Sequence, residues 1–168
     1  MATLTTTVTE TLTLNGQSYN SIQSKTIASI TQALKTTVTC LNAAETAILG
    51  VAAAGSTDLG KSYVAGQFDQ DSVRYIRITN LDASNYVLLT IRNSGNTNAN
   101  EVAIKLDKGA SFIYGVDLDA GTEATLTSGT SALSIGAGDT LNNLIDIVGI
   151  ANSGDCKLEV FVASLDAA

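Results

Sequence analysis

The chain has 168 residues, 45% of them hydrophobic but only 5% aromatic, with a net charge of −7 and no histidine, proline or tryptophan. That is one domain's length, with a core that has to be built from Val, Ile, Leu and Ala. Its nine basic residues are scattered, without the clustering that direct nucleic-acid binding needs, and the lack of histidine excludes Ser-His-Asp and Cys-His catalysis and imidazole metal sites.

From Thr3 to Thr13 every odd position is Thr, and the even positions include Leu4, Val8 and Leu12. Strict alternation in β-branched residues predicts a half-buried strand. Asn15-Gly16 follows at once, the strongest short hairpin signal, with Tyr19 and Ile22 opening the return strand. KTTVTCL (35 to 41) alternates again and puts Val38 and Cys40 on one face. ETAILGVA (45 to 52) is an apolar run of the buried type.

SVRYIRITN (72 to 80) carries apolar residues on both parities and is too β-rich for a helix. LDASN reads as a turn, and NYVLLTIRN (85 to 93) as the next strand. EVAIKL (101 to 106) alternates, DKGA turns, and SFIYGV (111 to 116) closes a third pair. LNNLIDIVGIA (141 to 151), a turn at NSGD and CKLEVFVAS (156 to 164) end the series. Short strands at this spacing predict an all-β fold with little helix: an antiparallel, jelly-roll-like β-sandwich. One sandwich domain is expected over 1–168, with 1–24 as an extended N-terminal arm or strand hairpin.

Charge is unevenly spread. The first 44 residues hold only Glu10, Lys25 and Lys35, while the remainder carries a net −8. A long, Thr-rich, nearly uncharged strand lacks the usual guards against edge pairing. Either the fold or a neighbouring subunit covers it, so Leu4, Val8, Leu12 and Leu14 are expected interface residues. The opening MATLTTTVTE has no basic residue and no long apolar stretch, so no signal peptide is expected. The longest apolar run, AILGVAAAG, falls far short of the roughly 20 residues a membrane helix needs. The expected protein is cytoplasmically made and has no membrane partner.

Three motifs carry possible chemistry. GSTDLGKS (55 to 62) matches the phosphate-binding loop pattern at Gly55, Gly60, Lys61 and Ser62. Such a loop works by aiming the amides of a following helix at the phosphates. SYVAGQFDQDSVRYIRI has Gly66 inside it and passes straight into β-type sequence, so the match reads as a surface loop and no cofactor is expected. DLDAGTE (117 to 123) brings Asp117, Asp119 and Glu123 within reach of one hard cation. It has Gly121 where a third ligand belongs, and it reads as a solvated acidic turn. Cys40 and Cys156 occupy apolar-type strand positions and read as buried free thiols.

SVRYIRITNLDASNYVLLTIRN followed by EVAIKLDKGASFIYG, over residues 72 to 115, resembles small virion structural proteins of tailed bacteriophages, with weaker support from TVTETLTLNG. The resemblance carries no catalytic residue. It implies a non-enzymatic β-sandwich on the phage particle, assembled in the host cytoplasm, chiefly as a capsid decoration or cement protein. The implied partners are the major capsid protein or other virion proteins, and copies of itself, with a trimer favoured. A tail, fibre or adaptor subunit is the nearest alternative. From other classes come a small phosphate-loop nucleotide-binding protein and a host-glycan-binding module, the latter weakened by the shortage of aromatic rings to stack on sugars.

Overall fold

The computed structural model describes residues 1–50, 68, 73–93, 101–115, 127–129, 132–134 and 144–165. Among them every regular element is a strand: β1 (Ala2–Glu10), β2 (Thr13–Leu14), β3 (Gln17–Ser18), β4 (Ser21–Ile30), β5 (Gln32–Cys40), β6 (Thr46–Gly50) and β7 (Val73–Asn80) come first. There follow β8 (Val87–Asn93), β9 (Glu101–Leu106), β10 (Ser111–Gly115), β11 (Thr127–Gly129), β12 (Ala132–Ser134), β13 (Leu144–Ala151) and β14 (Cys156–Ser164). Among the described residues no helix is long and apolar enough to cross a membrane.

Two antiparallel four-stranded sheets, ordered β10-β7-β14-β5 and β6-β13-β8-β9, pack face to face. In chain order, the strands of the two sheets change sheet at every step except β8 to β9: β5 to β6, β6 to β7, β7 to β8, β9 to β10, β10 to β13, and β13 to β14. Of the strand pairs consecutive in the chain, only β8 and β9 are hydrogen-bonded within the sandwich. This is the strand order of a jelly roll. EVAIKL and SFIYGV are therefore not a hydrogen-bonded pair: the DKGA turn, with Gly109 at φ 69°, carries the chain across the sandwich. The short β11–β12 pair has no counterpart among the strands read from sequence.

The core follows from alternation. Cys156, Leu158, Val160 and Val162 of β14 point inward with Ile76 and Ile78 of β7. Val87 and Leu89 of β8, Leu106 of β9 and Ile147 of β13 meet them from the other sheet. Each such side chain, fully buried, contributes on the order of 1.5–3 kcal/mol. No Trp and few rings are needed because branched aliphatics interdigitate densely across a sandwich.

At one end of the sandwich the turns are tied by side chains. Asp82 accepts from the backbone N–H groups of Ser84 and Asn85, and Asn152 Oδ1 accepts from Tyr86 N–H. The Asn-rich segments ITNLDASN and ANSGD thus supply the hydrogen bonds that loop backbone otherwise lacks.

β7 has buried apolar residues on both parities, which explains why its apolar residues do not simply alternate. Ile76 and Ile78 face the core, while Tyr75 on the opposite face lies under β4 together with Ala163. The first 30 residues form a separate long hairpin, β1–β4 with β2–β3 at its tip, and this pairing extends past residue 24 to Ile30.

Candidate interaction surface at the N-terminal hairpin

The hairpin is built locally. Asn15 and Gly16 both adopt positive φ, 51° and 77°, the geometry of the tight turn whose twist matches that of antiparallel strands. Cross-strand threonine and serine bonds add support, Thr7 Oγ1 to Ser24 Oγ at 2.8 Å among them. Near the tip, Leu12 N–H donates to Asn20 Oδ1 and Tyr19 N–H to the Leu12 carbonyl.

The register places Leu4 opposite Ile27 and Ala2 opposite Ile30, with an irregularity between them and Ser29 at φ 62°. The extra residue on β4 keeps both isoleucines on the same face as Leu4, where simple alternation would have separated them. That face packs on Tyr75, Phe161 and Ala163, outside the sandwich core. Thr31 N–H donates to the Ser164 carbonyl and fixes the hairpin's base to the end of β14.

Beyond the base the hairpin is open. Leu4 is half-buried, but Val8, Leu12 and Leu14 are 51%, 53% and 55% exposed. Tyr19 and Ile22 are exposed as well. So the four residues expected at an interface divide: Leu4 anchors the hairpin to its own body, and the other three stay more than half exposed. Among the described residues β1 is paired along one edge, by β4.

A groove of about 410 Å³ runs between β1 and the outer face of the β10-β7-β14-β5 sheet. Its β1 wall is Leu4 to Val8, and its floor carries Tyr75, Ile113 and Phe161 beside Lys35 and Arg77. Tyr75 and Phe161 meet edge to face at 5.8 Å, and the Arg77 guanidinium lies 5.9 Å from the Phe161 ring centre. Glu159 bridges the two cations, 2.9 Å from Lys35 Nζ and 2.6 Å from an Arg77 Nη. The hydrogen bond and the charge of Lys35, then Arg77, hold its carboxyl below its ordinary value. The surface is therefore an apolar floor beside one ionic cluster, two cations on a single carboxylate, with a threonine-rich wall.

The remaining sequence candidates are placed plainly. Gly55, Gly60, Lys61 and Ser62, and likewise Asp117, Asp119 and Glu123, lie outside the described residues. Among the described residues no three Cys, Asp or Glu side chains converge as a metal site. Cys40 and Cys156 are buried and unbonded. Burial, then the neighbouring Cys156, pushes the Cys40 thiol up to about 11.

The groove floor was not read from sequence, although half its signal is there. Alternation alone puts Tyr75 with Arg77 on one face of β7, and Glu159 with Phe161 on one face of β14. What joins them is strand order. No protein-family model matches this chain, and neither the curated proteins nor the solved structures contain a match to it.

Proposed function

We propose that this protein is a non-enzymatic structural component of a tailed-bacteriophage particle, a capsid decoration or cement protein that reaches its neighbours through the N-terminal hairpin. The observation that carries the reading is the hairpin itself: an almost uncharged β1 with one edge unpaired among the described residues, and half-exposed Val8, Leu12 and Leu14 along the hairpin. A strand without charge or proline on its open edge is suited to β-augmentation of another chain. Two further points support it. Residues 72 to 115 resemble small phage virion proteins, and the jelly roll is an architecture that viral capsid proteins use, as lectins do. The second is analogy of fold, which by itself assigns no function.

In this reading the hairpin contacts the major capsid protein or other copies of the chain in a homo-oligomer, with a trimer favoured. The acidic remainder, net −8 beyond residue 44, faces outward from the shell.

The test is a variant carrying Val8→Lys, Leu12→Lys and Leu14→Lys. All three sites are exposed, so folding should be little affected. Mass spectrometry of purified particles should find the wild-type chain in numbers comparable to the major capsid protein, and the variant largely lost from them. A copy number of only a handful would move the protein to a tail, fibre or adaptor position. Undiminished incorporation of the variant would remove the hairpin as the contact.

A further inference from the structure

Cys40 ends β5 and Cys156 begins β14, and the register of these strands sets the two directly opposite each other. Directly opposed residues of an antiparallel pair share a face, with Cα atoms about 4.5–5.5 Å apart. A disulfide requires about 4.4–6.8 Å. The chain has no other cysteine, and both are fully buried and unbonded. Two thiols more than a hundred residues apart in sequence thus face one another on the inner face of one sheet.

Their position is at the rim of the sandwich. Cys156 follows the turn Asn152–Asp155, and its Sγ lies 3.5 Å from the Gly154 carbonyl. That turn is held by exposed contacts, Asn42 N–H to Asp155 Oδ1 and Ser153 Oγ to Asn85 Oδ1. Opening the turn uncovers Cys156 while the sheets stay paired, a local event far less costly than global unfolding. Cys40, behind it, packs where Gly149 has no side chain: a Cβ there would come within 3.1 Å of its sulfur.

We propose that Cys40 and Cys156 are a latent oxidation site, closed to a cross-strand disulfide when the folded protein meets a small-molecule disulfide. The Cys156 thiolate attacks one sulfur of the reagent and expels a first thiol, leaving a mixed disulfide. The Cys40 thiolate then attacks Cys156 Sγ and expels the second. Two cysteine thiols are oxidised, one disulfide reagent is reduced to two thiols, and the two cysteine protons end on the departing thiols. The bond ties the edge strand β5 to the central strand β14 and closes a loop of more than a hundred residues. In a reducing compartment the pair stays open. The inference does not depend on the proposed virion role.

The test is incubation of the folded full-length protein with excess oxidised glutathione at mildly alkaline pH, followed by intact mass and thermal melting. The expected product has lost two hydrogen masses, carries no glutathione and melts about 10 °C higher, reversibly with reductant. In Cys40→Ala, a stable glutathione adduct should collect on Cys156 without that rise. Three results would overturn the proposal: a wild-type chain that stops at the mixed disulfide, one that keeps both thiols until denaturant is added, or a disulfide that does not raise the melting temperature.

Discussion

Asn80 ends β7 with its side chain fully buried, donating to the carbonyls of Asn85 at 2.9 Å and Leu106 at 3.2 Å and accepting from Asp82 N–H at 3.0 Å. It satisfies backbone groups of two segments, the loop after β7 and the end of β9. Asn80→Leu keeps the branched shape but strands those partners, and is expected to destabilise by about 2–4 kcal/mol in urea titration. Loss of under about half a kcal/mol would mean that other groups take over these bonds. Glu159 gives a pH signature. Its folded-state carboxyl is held below the ordinary value of 4.5 by Lys35 and Arg77. Its contribution is therefore complete above that value and fades as pH falls through the lower folded-state value. Melting temperature against pH should show Glu159→Gln losing less than wild type on acidification below the ordinary carboxylate range. Parallel curves would show that the bridge adds nothing to folding.

Among the described residues, the hairpin is held to the body at its base by Leu4, Ile27 and Ile30, while the hydrogen bonds at its tip run within the hairpin. Gly16 at φ 77° sits where a Cβ costs about 1–2 kcal/mol. Gly16→Val is expected to speed amide exchange in residues 13–18 and leave the main melting transition in place. A shift of the whole transition would show that tip and sandwich unfold as one. The local signals in this element are unusually complete: Thr alternation and Asn-Gly identify strand, turn and return strand. Yet Leu4 and Val8 share a parity and differ in fate, because only the first reaches Tyr75 and Phe161.

At the scale of the whole molecule, one cluster joins the two sheets, so they should unfold together. Leu158 of β14 is fully buried among residues of both. Leu158→Ala should cost about 2–5 kcal/mol. Circular dichroism and tyrosine fluorescence should still give one coincident urea transition, since Tyr75, Tyr86 and Tyr114 are spread over both sides of the core. Separate transitions by the two probes would show that the sheets fold as independent units.

The sequence by itself determined that the chain is β throughout its readable segments, where most strands begin and end, and that Cys40 and Cys156 belong to the interior. These are properties of one strand at a time, set by a period of two and by turn residues. Strand order, and with it the groove floor and the opposition of the two cysteines, was decided only by tertiary structure. Backbone ladders accept any sequence, so the partner of each strand depends on how all the apolar faces can be buried at once. EVAIKL and SFIYGV look like a hairpin on local rules, and they separate into two sheets because the jelly roll buries both of their inner faces against the same core.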